Sequence, residues 1–223
     1  MDRLANNSIL SLDRLYDYYP ALDNFSINRY QITTVFWNIF LLALPLAAWL
    51  MLRKLWRQSS LVSPGQKIAA GALFLFWLLF FPNTAYIITD IRHLLNYCPP
   101  DSPERVCKEN AWMIMFFFTY ASLGWLSFYY YLSSMADLLK AMIAGFKRRL
   151  FIIGIIPLAA LGVLLGLLNR FNSWDILFYP SELGRSLILY FTQADYAIDW
   201  AVFSVFLYLL FFLGDAIFRK IKI

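Results

Sequence analysis

Ile68-Ala69-Ala70-Gly71-Ala72-Leu73-Phe74-Leu75-Phe76-Trp77-Leu78-Leu79-Phe80-Phe81-Pro82-Asn83-Thr84-Ala85-Tyr86-Ile87-Ile88-Thr89 contains no Asp, Glu, Lys, Arg or His. About 20 such residues, each rising about 1.5 Å along a helix, cross the hydrocarbon core of a bilayer. Four more stretches read the same way: Tyr30 to Leu52, Asn110 to Ala136, Leu150 to Asn169 and Tyr196 to Phe218, the last with Asp199 and Asp215 inside it. These runs predict an all-α fold, a polytopic transmembrane helix bundle of five spans. Ile176 to Phe191 is also apolar, but Pro180, Glu182 and Arg185 break it. It reads as an interfacial or re-entrant piece rather than a crossing. The expected layout is an outer amphipathic or polar tail over 1–29, the bundle over 30–218 and a basic cytoplasmic tail over 219–223.

Composition excludes most soluble classes. Of 223 residues 61% are hydrophobic and 15% charged, with a mean hydropathy of +0.59. Soluble domains hold nearer a quarter charged. A net charge of +5 would suggest nucleic acid in another chain. Here the basic residues cluster beside apolar runs, the pattern that orients membrane proteins, so no nucleic acid partner is expected. The first 29 residues lack a continuous apolar core, being interrupted by Asp2, Arg3, Asp13, Arg14 and Asp17, and no cleavable signal peptide is expected. Ile9, Leu12, Leu15, Tyr16 and Tyr19 recur at helical spacing. That tail is either a helix lying on the membrane surface or a partly ordered polar segment.

Orientation follows from the basic residues. Arg53, Lys54, Arg57, Lys67, Lys140, Lys147, Arg148, Arg149, Arg219, Lys220 and Lys222 all fall on one side of a five-span chain, in three short segments. The remaining eight are spread over much longer segments on the other side. The Lys/Arg bias places the first set in the cytoplasm of a plasma (inner) membrane, with the amino terminus outside and the carboxyl terminus inside. Cys98 and Cys107 then share an outer loop rich in proline, where oxidation to a disulfide is expected. The alternative is two free thiols in an inverted topology. One histidine and two cysteines are too few for a structural zinc site.

The second run ends in Phe81-Pro82-Asn83-Thr84-Ala85-Tyr86-Ile87-Ile88-Thr89-Asp90-Ile91-Arg92-His93-Leu94. Asn83, Tyr86, Asp90 and His93 are spaced 3, 4 and 3 apart, one stripe on a helix. Pro82 has no amide to offer the carbonyl of Leu78. A polar stripe beside an opened backbone is how membrane helices build ion or substrate sites. The bland reading is that Asp90 and His93 sit at headgroup level and Pro82 only bends the helix. A second cluster, Asn169-Arg170-Phe171-Asn172-Ser173-Trp174-Asp175, follows the fourth run on the same predicted face. Its bland reading is local: Asn172 caps a helix starting at Ser173, with Asp175 at its third position and Trp174 as an interface anchor.

Pro82-Asn83-x-x-Tyr86-Ile87-x-Thr89-Asp90-x-x-His93-Leu94 and Arg170-x-Asn172-Ser173-Trp174-Asp175 together resemble a group of prokaryotic multi-pass membrane proteins classified as a domain of unknown function. The resemblance runs from about Asn28 to the end of the fifth span. In that pattern a second proline stands where this chain has Ala85, which implies a milder helix break here. The resemblance implies no activity.

Three functional classes fit. The first is an outward-facing site that binds a cation or a polar headgroup, with membrane hydrolase chemistry as its catalytic form. There Asp90, His93 and Asp175 carry the chemistry, while Asn83, Tyr86, Arg170, Asn172 and Trp174 bind substrate. Arg170 neutralises the acids, because Arg92 is turned about 200° from Asp90 on an α-helix. No cofactor is identifiable, and a hard divalent cation is the one the carboxylates would suit. The second class is a structural or assembly subunit, with Gly162-x-x-x-Gly166 as a close-packing face toward a membrane partner or a second copy, tight packing there being equally expected within the monomer. The third is a transporter, disfavoured because no internal repeat is evident.

Overall fold

The computed structural model describes residues 26–27, 30–59, 63–96 and 111–219. The amino-terminal tail, Cys98 and Cys107 with their loop, and residues 220–223 lie outside the described residues. A two-residue antiparallel ladder, β1 (Ser26–Ile27) with β2 (Tyr30–Gln31), precedes the helices. Then come α1 (Ile32–Ser59), α2 (Pro64–Phe80), α3 (Pro82–Thr89) and a 3-10 segment, Asp90–Asn96. These are followed by α4 (Ala111–Met142), α5 (Arg148–Leu168), the four-residue α6 (Asp175–Phe178), α7 (Pro180–Thr192) and α8 (Ala194–Phe218). Among the described residues five helical stretches are long and apolar enough to cross a membrane: Ile32–Gln58, Pro64–His93, Ala111–Met142, Arg148–Leu168 and Ala194–Phe218. The all-α bundle and its count of five follow the sequence expectation.

The helices of the first and third spans, α1 and α4, outrun their apolar stretches. Arg53, Lys54 and Arg57 lie on α1 itself rather than in a loop, because long basic side chains keep their heads in water from a helical stem. Arg53 rests over the Trp49 ring at 5.3 Å. The short linker then closes at Ser63, which caps α2. Its hydroxyl accepts from the Gln66 amide at 3.3 Å, its own amide donates to Gln66 Oε1 at 3.0 Å, and Pro64 occupies the first turn. At 13 residues, α7 is about 20 Å long and too short to cross. It packs along α8 and buries Tyr190 among Leu161, Leu164 and Leu165 of α5.

Helices in lipid gain little from burying apolar surface against each other, so packing and internal hydrogen bonds hold them together. A stack of Trp77, Phe81 and Phe128, with ring centroids 4.6 and 5.4 Å apart, ties α2 to α4. Such pairs contribute about 0.5–1.5 kcal/mol each. A proline inside α5 opens a carbonyl that an aromatic donor then fills, and two more aromatic donors reach backbone oxygens nearby. Pro157 withdraws the amide that Ile153 would use, and the Tyr208 hydroxyl of α8 donates to that Ile153 carbonyl instead. Trp200 Nε1, one helical face along, donates to Pro157 O at 2.8 Å, and Trp125 of α4 donates to Leu210 O at 2.8 Å. The fifth span is thus anchored at two backbone oxygens of α5 and, through its own Leu210 carbonyl, to α4.

Small residues set the closest approaches. A methyl group on Gly162 would lie 2.6 Å from Pro82 Cγ, and one on Gly166 would lie 3.3 Å from the Tyr86 ring. The Gly162/Gly166 face, expected to meet a partner or a second copy, is therefore filled within the chain by the second span. The Pro82 ring needs the space that glycine leaves.

Candidate functional site

At the end of the bundle where α1 begins, α3 ends and α5 ends, the helices diverge around a cavity of about 740 Å³. It is lined by Trp37 and Asn38 of α1, by Asn83, Tyr86, Asp90, Arg92 and His93 from the second span, and by Arg170, Asn172, Ser173 and Trp174 from the loop after α5. Its other walls are apolar and include Leu78, Leu158, Leu161, Leu165, Leu183 and Leu187.

The second span reaches this cavity through its proline break. The α-helix stops at Phe80 and resumes at Pro82. Side chains satisfy the carbonyls around the break: Thr84 Oγ1 donates to Phe81 O at 2.7 Å and Asn83 Nδ2 to Phe80 O at 3.0 Å. Asn83 Nδ2 also donates to Ser173 Oγ at 3.1 Å. One amide thus links the second span to the loop after α5, which is why the two polar clusters share a place. Beyond Thr89 the winding tightens to 3-10. Residues three apart eclipse in that geometry, so Asp90 and His93 keep the face begun by Asn83 and Tyr86.

Asp90 is 2% exposed. Its Oδ2 accepts from Asn38 Nδ2 at 3.0 Å, and its Oδ1 lies 3.9 Å from His93 Nε2. The His93 ring stacks on Phe117 with centroids 6.4 Å apart. The expectation for Arg92 is corrected. It lines the cavity with Asp90, because the 3-10 winding turns it partly back and the helix end lies at the mouth. Arg92 is half-buried and Arg170 exposed. Among the described residues neither guanidinium has a carboxylate within ion-pair distance.

The loop after α5 has an unusual backbone. Arg170 adopts φ +61°, the left-handed region, which costs a residue with a Cβ about 1–3 kcal/mol. The reversal lets the Phe171 amide donate to Leu165 O at 3.1 Å, closing the end of α5. Asp175 takes a local part. Its Oδ2 accepts from the Asn172 amide at 2.7 Å, one half of a capping box with the acid at the third position. The helix proper starts only at Asp175. Asp175 is 2% exposed and does not line the cavity, and its Oδ1 is buried without a partner among the described residues. Burial holds the Asp175 carboxyl above the usual carboxylate range, against the pull of the Asn172 hydrogen bonds. Trp174 contacts Trp37 edge-on at 6.0 Å, and its Nε1 is buried with no acceptor among the described residues.

The cavity therefore gathers Asn83, Tyr86, Asp90, His93, Arg170, Asn172 and Trp174, and leaves Asp175 beside it in its own turn. Sequence reasoning missed Trp37 and Asn38. The available signal was one asparagine inside an otherwise apolar crossing, a group that hydrocarbon leaves unsatisfied unless a neighbour bonds it. No group of three or more His, Cys, Asp or Glu able to hold a metal ion occurs among the described residues.

A bundle with five membrane-length apolar helices among the described residues, and an amphipathic cavity at one end, defines the class of this protein. Residues 37–213 match the family described as "Protein of unknown function (DUF1361)", and the chain belongs to that family. No curated protein and no solved structure matches it.

Proposed function

We propose that this is a multi-pass plasma-membrane protein that binds the polar headgroup of an amphiphile in the cavity, at the outer face of the membrane. The observation that carries this reading is the division of one cavity between a polar end, with Asn83, Asp90, Arg92, His93 and Arg170, and walls of leucine. Ligand pockets combine apolar walls with a few placed polar groups in this way. A bare hard cation suits the site less well. Calcium takes six to eight oxygens, whereas this wall presents one carboxylate with two guanidiniums. The concentration of basic residues at the far ends of the same helices supports the outward orientation.

Native mass spectrometry of the purified protein with a short-chain lysophospholipid tests the binding. One saturable adduct is expected, and Leu165→Trp, which fills the cavity, should remove it. Adducts of unspecific number, equal in both proteins, would sink the reading. Labelling of Ala144→Cys in intact cells tests the orientation, and strong labelling from outside would reverse it.

Hydrolysis is the catalytic form of the same reading, favoured by Asp90 lying 3.9 Å from the sole histidine. His93 would take the proton of an attacking water, with Asp90 holding the imidazole. Asp90→Asn should then abolish turnover while an amphiphile still binds. Unchanged turnover would remove Asp90 from the chemistry.

A further inference from the structure

We infer that the headgroup bound here is anionic and phosphate-bearing, held by Arg92 and Arg170; this rests on the cavity being an amphiphile site. The charge that a ligand meets in this cavity differs from the charge that lines it. Asp90 is 2% exposed and bonded to Asn38, so its carboxylate is largely withdrawn. Arg92 and Arg170 come from separate segments, the first half-buried and the second exposed, and among the described residues neither has a carboxylate within ion-pair distance, although Arg92 lies in the field of the buried Asp90. A charged side chain at a membrane boundary normally turns to a partner. An incoming anion is the partner this geometry leaves room for.

Two further observations point the same way. Trp174 lines the cavity and its buried Nε1 has no acceptor among the described residues, so a turn of the ring would offer that donor to a ligand oxygen. Arg170 holds a left-handed φ of +61°, a conformation that glycine adopts without strain. Keeping an arginine there supplies a guanidinium at the mouth. The planar fork of arginine pairs two oxygens of a phosphate at once, which lysine does not. From that end Leu161, Leu165, Leu183 and Leu187 continue the wall for an acyl chain.

The test titrates the full-length protein in nonionic detergent with four probes. They are dihexanoyl phosphatidic acid, dihexanoyl phosphatidylcholine, dihexanoylglycerol and inorganic phosphate. Phosphatidic acid should bind about tenfold or more tighter than the other two lipids. Arg92→Gln and Arg170→Gln should each weaken it about tenfold, the scale of one charge-assisted contact, with an unchanged Tm in detergent as the control for folding. Arg170→Lys should recover only part of the loss. Equal affinity for all three lipids, or no effect of either substitution, overturns the anionic site and leaves the amphiphile reading standing. Inorganic phosphate binding as tightly as phosphatidic acid supports the arginine site and overturns the amphiphile. Binding of no probe overturns both.

Discussion

The two ends of this bundle use the same side chains to opposite effect. At the end where α4 finishes and α5 starts, Arg148 donates to Asp137 Oδ1 at 2.7 Å and to Ser133 Oγ at 2.8 Å, and lies 4.0 Å from Asp215. Asp215 in turn meets Arg219 at 3.2 Å. This cluster pins three long helices together, and its charges answer one another. The Arg148 charge sits unfavourably at a helix amino terminus, so the carboxylates also offset a local cost. At the cavity end the two arginines have no carboxylate within ion-pair distance among the described residues. Charges that complement each other inside the fold give a clasp, and charges left without a close partner are open to the ligand proposed above.

The largest expected effect tests the clasp. Arg148→Ala should lower stability by roughly 1–3 kcal/mol, between the values for exposed and buried pairs, read as a lower Tm in detergent. Amphiphile binding at the other end should persist. Loss of binding in a variant that still folds would show the ends to be coupled and break the comparison.

Gly162→Ala probes the wall between them. Its methyl would meet the rigid Pro82 ring at 2.6 Å, and overpacking should outweigh the gain in helix propensity by about 1–2 kcal/mol. Gly214→Ala meets the Tyr129 ring at 2.8 Å in α4 and should cost about as much. Only the first should also weaken ligand binding, because only Pro82 borders the cavity. Equal loss of binding in both would show that the cavity answers to general loosening.

Arg170→Gly is expected to move stability and binding in opposite directions. Relief of the left-handed strain should add about 1 kcal/mol, while loss of the guanidinium weakens binding of an anionic amphiphile. A fall in both would mean that the side chain braces the loop.

The smallest effect is a slope. The Asp175 carboxyl is held above its ordinary value by burial. Its contribution to stability is therefore full below about pH 3.9 and lost as pH rises through the raised folded-state value. Tm measured across the acid range should show that decline in the wild type and less of it in Asp175→Asn, whose amide oxygen still accepts from Asn172. Equal slopes would mean that the carboxyl is solvated through its unpartnered oxygen.

How much of this was legible in the chain varies by residue. The stripe of Asn83, Tyr86, Asp90 and His93 could be read from spacing, because 3-10 and α winding both bring residues three apart onto one face. Asn38 stayed hidden, since an asparagine in the first span has no local pattern to say which helix will answer it. Arg92 was assigned to the wrong face because α geometry was extended past Thr89. Asp175 was placed in the cavity, whereas its nearest donor is the backbone of its own turn. The Gly162/Gly166 face was legible as a close contact, but not as a contact with Pro82.

The sequence by itself determined the number of long apolar helices, their approximate limits and the class of the fold, because the length of an uncharged run is a local property. Tertiary structure decided which charges neutralise one another and which lack a close partner. Asp137 and Arg148 meet across a turn, and Asp215 reaches the same cluster from the other end of the chain. Arg92 and Arg170 lie equally far apart in sequence and find no such partner among the described residues. That difference depends on how helices cross in space, and no spacing along the chain encodes it.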